Sequence, residues 1–307
     1  MTHHVALQFA ARTDTGLVRP HNEDAVAVSA GHGIVVLADG MGGYNAGEIA
    51  SGIATAVVVS ELERQLSQMD GKVNRAAGGT TSSTASGAAS SRRLRQWMID
   101  AVLAANQEIL DTAREEPQYS GMGTTLVAAL FRHDRIVLAH LGDSRCYRFR
   151  QGELQLLTRD HSLLQEQIDA GLVSPEWARY APNKNLITRA LGVAPQVDVE
   201  INDYRIEAND VYLLCSDGLS DMLTDAQLAA MLADPHVTLE HLGDRLVAAA
   251  NGNGGRDNIS AVLVRINAAG VAMARDRWPQ WKTWLDKVRK VRAVRAIRSI
   301  RASDDHE

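Results

Sequence analysis

Two apolar runs, each ending in Asp-Gly, constrain this chain more than any other feature. The first is Gly33-Ile34-Val35-Val36-Leu37-Ala38-Asp39-Gly40-Met41-Gly42-Gly43, and the second is Val211-Tyr212-Leu213-Leu214-Cys215-Ser216-Asp217-Gly218-Leu219. Runs of this length, closed by turn residues, predict buried strands that each deliver a carboxylate to the end of a sheet. Two such ends make a natural site for a hard divalent cation, which takes carboxylate and carbonyl oxygens. Glycine after the acid lets the backbone bend back and offer its own carbonyl. Asp-Gly is also a common hairpin turn, so the two runs alone do not decide between a site and a pair of turns.

Two further segments add to them. Arg19-Pro20-His21-Asn22-Glu23-Asp24 lies near the start and Gly255-Arg256-Asp257-Asn258-Ile259-Ser260 near the end, so that Asp24, Asp39, Asp217 and Asp257 each stand at the edge of an apolar segment. Together with Leu141-Gly142-Asp143-Ser144-Arg145, the five motifs in this order resemble the bacterial metal-dependent serine/threonine phosphatases of the PPM, or type-2C, family. The resemblance runs from about residue 8 to about residue 266. It implies an α+β fold, a sandwich of two antiparallel sheets flanked by helix pairs, and hydrolysis of phosphoserine or phosphothreonine by a water activated between two metals.

Asp39 fits the bridging carboxylate, because it ends a central strand, and the Gly40 carbonyl completes one coordination sphere. By resemblance, Asp217 and Asp257 hold one metal with Asp39, while Asp24 supports the other largely through water. Ligands that are all oxygen, with no His or Cys beside them, favour Mn²⁺ or Mg²⁺ over Zn²⁺. Asp143 and Asp221 are the family's candidates for a third ion, although a turn aspartate also explains Asp143. Arg19 resembles the phosphate-binding arginine, whose planar guanidinium can grip two phosphate oxygens. Arg12 competes for that role, and a surface ion pair is the plainer reading of either arginine. Animal relatives carry a histidine after the first Asp-Gly, where this chain has Met41. Leaving-group protonation then falls to metal-bound water, falls to His161, or is not needed.

Along the chain, strands are expected at 5–10, 25–30 and 33–38, then a helix from Ala46 to about Gln65. Residues 69–91 are rich in Gly, Ser, Thr and Ala and read as a flexible insertion. Helical spacing returns from Leu94 to about Ala113. Strands at 124–131, 135–141, 145–149 and 154–157 with tight turns predict one antiparallel meander. Residues 160–190, broken by Gly171, Pro175 and Pro182, match the family's mobile flap and suit a substrate-selecting lid. Strands at 197–206, 211–216 and 259–266 and helices near 225–233 and 238–250 complete a catalytic domain over residues 1–268.

Residues 275–307 carry a formal charge of +5, leaving −10 on the rest of the chain. An acidic body argues against a nucleic-acid-binding core. The tail, 269–307, pairs Trp278, Trp281 and Trp284 with five Val/Ile-Arg triplets from Val288 to Ala302. That pattern suits contact with an anionic membrane surface or a protein partner, or a solvated basic tail. Cys146 and Cys215 read as buried reduced thiols, and with no signal peptide or membrane span a cytoplasmic enzyme is expected, free or membrane-peripheral through its tail. Its partners would be phosphorylated proteins and the Ser/Thr kinase it opposes. The competing readings are a non-catalytic ligand- or partner-binding regulator of the same fold and a phosphatase of small phosphoesters.

Overall fold

The structure, a computed structural model, describes residues 6–43, 46–76, 85–174 and 186–267. The chain opens with β1 (Ala6–Asp14), β2 (Asp24–Ser29) and β3 (Ile34–Met41), followed by two long helices, α1 (Ala46–Ala76) and α2 (Ala85–Glu115). Then come β4 (Gly123–Thr124), β5 (Leu126–Arg132), β6 (Arg135–Leu141), β7 (Arg145–Arg150), β8 (Glu153–Leu156) and the short α3 (Leu163–Asp169). The last part comprises β9 (Glu200–Arg205), β10 (Val211–Cys215), α4 (Asp217–Ser220), α5 (Asp225–Leu232), α6 (Leu239–Gly252) and β11 (Ile259–Asn267).

The strands form two antiparallel sheets, one ordered β1-β11-β10-β7-β8 and the other β2-β3-β5-β6-β9, with β4 on the end of β3. Successive side chains of a strand point to opposite faces, and here both faces are covered. Val35 and Leu37 meet Phe9, Tyr212, Leu214 and Val264 between the sheets. Ile34, Val36 and Ala38 meet Ile53, Val57, Met98 and Val102 of α1 and α2. On the far side, Val211, Leu213 and Cys215 pack on Leu228, Leu242 and Leu246 of α5 and α6. Apolar burial on both faces explains why the β3 and β10 sequences run continuously apolar rather than alternating. The expected sandwich flanked by helix pairs is the fold. Cys146 and Cys215 are free thiols on opposite faces of their sheet, Cys146 toward the other sheet and Cys215 toward the helices.

The strands from 124 to 157 do not form one meander. β5 and β6 pair in one sheet, whereas β7 and β8 pair in the other, and the chain crosses between them at Gly142-Asp143-Ser144. Gly142 has φ +95°, and a Cβ there would lie 2.7 Å from the Thr125 side chain. Only glycine accepts that conformation and that approach together. Of the expected insertion at 69–91, residues 69–76 belong to the end of α1 and 85–91 to the start of α2, while 77–84 lie outside the described residues. Of the flap, α3 is capped by Ser162, whose Oγ accepts the Gln165 N–H at 3.2 Å. Residues 175–185 lie outside the described residues, as does the basic tail.

Candidate metal and phosphate site

The two sheets bring the four strand-edge acids to one end of the sandwich. Asp24 begins β2 directly opposite Asp39 on β3. Asp217 follows β10 as the first residue of α4, and Asp257 lies two residues before β11, the neighbour of β10. The sheets are joined at this point by hydrogen bonds to Asp24, among them Ser216 Oγ to Asp24 Oδ2 at 2.8 Å. Asp39 is fixed through its backbone, donating N–H to Thr125 Oγ1 at 3.0 Å and accepting the Thr125 N–H at 2.9 Å.

Burial and mutual repulsion dominate the electrostatics. Desolvation lifts Asp39 and Asp217 well above the ordinary carboxylate range. Asp24, Asp217, Asp143 and Asp257 push Asp39 further, while Asp143, Asp257, Asp221 and Asp24 push Asp217. Asp24 is raised to about 6, chiefly by burial and then by Asp257, against hydrogen bonds from Ser260 and Ser216. Two buried oxygens, Asp24 Oδ1 and Asp217 Oδ1, have no hydrogen-bond partner in the protein. Orphaned anionic oxygens in a crowd of like charges are costly unless a cation completes them. The donor set is all oxygen, so these residues fit hard divalent ions such as Mn²⁺ or Mg²⁺.

Backbone packing allows the acids to converge. A Cβ on Gly40 would lie 2.1 Å from the Gly47 carbonyl oxygen, and one on Gly218 would lie 2.0 Å from that of Asn258. Asn258 also ties the Arg19 loop down. Its Oδ1 accepts the Glu23 N–H at 2.8 Å, and its Nδ2 donates to the carbonyls of Thr15 and His21, each at 2.9 Å. Arg19 donates from Nη2 to Asp257 Oδ2 at 2.7 Å, which places a half-exposed guanidinium at the edge of the acidic cluster. Arg12 is committed elsewhere, to Asp244 and the Glu240 carbonyl on α6.

Asp143 sits on the crossover between the sheets, and its pKa is raised to about 6 by burial and then by Asp160, with a smaller push from Asp221. Asp221 accompanies it because α4 turns the chain back, with the Asp221 N–H donating to the Asp217 carbonyl at 2.7 Å. Asp143, Asp217 and Asp221 line a cavity of about 530 Å³ whose other walls include Leu164 and Ile168 of α3 and Thr224 and Asp225 at the start of α5.

Sequence reading missed what holds this crossover. Two adjacent residues at the flap root grip it on either side of Asp143. Asp160 takes Arg145 in a bidentate pair at 2.9 and 2.6 Å. His161 accepts the Gly142 N–H on Nδ1 at 3.3 Å and donates its own backbone N–H to the Gly142 carbonyl at 2.9 Å. The only sequence signal for this role was the polar Asp160-His161 pair immediately before the flap helix.

His161 is thereby displaced as a proton donor to a leaving group. It is 7% exposed, stacked on His140 with ring centroids 4.5 Å apart, and its Nε2 faces Glu200 Oε2 at 3.3 Å. Burial, followed by His140, lowers its pKa and so disfavours the charged acid form. His140, His161 and Glu200 gather their ligand atoms within 4.8 Å. The His140 Nε2, however, lies 2.7 Å from the Arg159 carbonyl, and near-parallel rings do not aim two nitrogens at one ion.

Comparison with known proteins agrees with this geometry. The Protein phosphatase 2C sequence profile matches residues 18–263. The serine/threonine phosphatase stp of Listeria innocua is 35% identical over 259 residues, covering 83% of this chain and 94% of that protein. PstP of Mycobacterium tuberculosis, a serine/threonine protein phosphatase, is 38% identical over 262 residues, which are 85% of this chain and 45% of that longer protein. The crystal structure of the latter superposes with a TM-score of 0.73 at 37% identity, covering 86% of this chain and all of that one. A PstP catalytic-domain structure, TM-score 0.71 at 35% identity over 86% of this chain and all of that one, holds two manganese ions. The chain belongs to the protein phosphatase 2C family and is a serine/threonine protein phosphatase.

Proposed function

We propose that the chain removes phosphate from phosphoserine and phosphothreonine of protein substrates at the cluster of Asp24, Asp39, Asp217 and Asp257, and that it opposes a Ser/Thr kinase. The observation that carries this reading is the pair of orphaned buried oxygens, Asp24 Oδ1 and Asp217 Oδ1, among carboxylates that repel one another. Asp39 with the Gly40 carbonyl, Asp24, Asp217 and Asp257 would hold two divalent ions, and Asp143 and Asp221 would hold a third. When bound, the ions supply a nucleophilic water at neutral pH and screen the phosphoryl charge.

The protein's own groups do the rest. Arg19 exchanges its contact with Asp257 for two phosphate oxygens and orients the phosphoryl group. Ser216 keeps Asp24 from turning out of the cluster. Met41 has no transferable proton and His161 is buried, so the departing seryl or threonyl oxygen takes its proton from water. A non-catalytic regulator of this fold would be expected to have lost acids from the cluster, and all are present here. The test is phosphate release from a phosphothreonine peptide by the purified protein. Release should stop on chelation and return with added Mn²⁺, and release that survives chelation would overturn the metal assignment.

The basic tail is assigned to an anionic membrane surface of the cytoplasm, where each Lys or Arg contributes about 1 kcal/mol. Among the described residues no helix is long and apolar enough to cross a membrane. Binding should therefore be peripheral and salt-sensitive. Co-sedimentation with phosphatidylserine vesicles at low salt, lost when the chain is cut after residue 268, is the expected result. Failure of the full chain to sediment would point to a protein partner instead.

A further inference from the structure

Leu17 and Val18 are 68% and 66% exposed, adjacent in sequence, and immediately precede Arg19. Single exposed aliphatic residues are ordinary on a protein surface. What distinguishes this pair is that the loop carrying it is rigidly held. The Gly16 N–H donates to Asp14 Oδ1 at 2.9 Å, and the Leu17 N–H donates to the Gly255 carbonyl at 2.7 Å. Gly16 has φ +77°, and a Cβ there would lie 2.2 Å from the Asp257 carbonyl oxygen, so the turn is pressed against the loop that bears Asp257. Asn258 holds the Thr15 and His21 carbonyls, fixing both arms. Leu17 lies over Gly255, its Cγ 2.9 Å from where a Cβ on that glycine would be. The backbone beneath the pair is thus held on both sides, and both apolar side chains face solvent.

We propose that Leu17 and Val18 form an apolar lip that seats a hydrophobic side chain flanking the phosphorylated residue of the substrate. The proposal rests on the phosphatase reading and on Arg19 as its phosphate contact. Leu17 and Val18 precede Arg19 on the same held loop, so a phosphoryl group gripped by Arg19 sets the neighbouring substrate residues beside that loop. The lip offers apolar surface and no hydrogen-bonding side chain of its own, so it selects an apolar flanking residue over a polar one. Burying one aliphatic side chain against two others supplies enough free energy for about tenfold discrimination.

The test compares two phosphothreonine peptides that differ only in having Leu or Asn on both sides of the phosphothreonine, with Mn²⁺ present and p-nitrophenyl phosphate as a substrate lacking flanks. Wild type should favour the Leu peptide about tenfold in kcat/KM, expressed in KM. In Val18→Asp and Leu17→Ser the preference should fall to within about twofold. Val18→Thr, which keeps the shape, should show an intermediate preference and covers the event that Val18→Asp does not fold. Equal use of both peptides by wild type, or an undiminished preference in the variants, overturns the lip. So does a parallel loss of p-nitrophenyl phosphate and peptide hydrolysis in Val18→Thr, which would make the pair structural. Hydrolysis of neither peptide by wild type would instead strike the phosphatase reading on which the lip depends.

Discussion

Asp24 and Asp39 face each other across β2 and β3 as a directly opposed antiparallel pair. Like charges at opposed positions destabilise a sheet. The fold holds this arrangement because the surrounding core, three apolar layers deep, is stronger than the local repulsion.

The first prediction concerns pH. The folded-state pKa values of Asp24 and Asp143 are raised to about 6, and those of Asp39 and Asp217 are raised in the same direction. An unfolded aspartate titrates near 3.9. For a raised carboxylate the stabilising contribution is complete below the unfolded value and is lost as pH rises through the folded value. For Asp24 alone the difference is on the order of 3 kcal/mol. The melting temperature of chelator-treated protein should therefore fall between pH 5 and 7, and saturating Mn²⁺ at pH 7 should restore it. A metal-free melting temperature that stays level or rises across this range would contradict the electrostatic account.

Asp39→Asn and Asp217→Asn should separate stability from catalysis. Each keeps the shape of the side chain while removing one charge from a repelling cluster, so metal-free protein should melt at a higher temperature than wild type. Each also removes a metal-binding oxyanion, so Mn²⁺-dependent phosphate release should drop by at least about a hundredfold, the effect of losing roughly 3 kcal/mol of transition-state stabilisation. Near-normal turnover in either variant would remove that residue from the metal set.

Much of this site was legible in the sequence because Asp39 and Asp217 follow at once, or after a single serine, on runs such as 34–38 and 211–215 that carry no charged residue, and such runs have few structural alternatives. Asp143 was harder to place. Its flanking strands read in sequence as the two arms of a hairpin, and nothing local shows that Gly142 carries the chain from one sheet to the other. The hold of Asp160 and His161 on Arg145 and Gly142 was not legible either, since it depends on a tertiary contact. The reach of α1 and α2 into the segment 69–91 escaped notice because its Gly, Ser and Ala residues give no apolar stripe to recognise.

Arg19 tests the phosphate assignment independently of the metals. Its guanidinium is half exposed and bonded to Asp257, so its removal leaves no buried charge behind. Arg19→Ala should raise KM for a phosphothreonine peptide about tenfold or more, while Mn²⁺ affinity, measured by calorimetry, changes by less than about threefold. Arg19→Lys should recover little, because an ammonium cannot hold two phosphate oxygens in one plane. Full recovery by lysine would mean that the site needs only a positive charge.

Asn258 gives the most demanding test, because its side chain serves three backbone groups at once while 5% exposed. The Glu23 N–H can only donate, and the Thr15 and His21 carbonyls can only accept, so the amide has one orientation that satisfies all three. Asn258→Ala orphans those groups, each at a cost of about 1 kcal/mol or more. For a domain of this size a total of about 3 kcal/mol lowers the melting temperature by roughly 6–12 °C. Asn258→Asp retains the acceptor for Glu23 but turns an oxygen toward two carbonyls, so it should do no better than alanine despite its closer shape. Both variants should lose peptide affinity as well, since the arms that carry Arg19 are no longer tied to Asp257. An aspartate variant with wild-type stability would show that the three contacts are not what holds the loop.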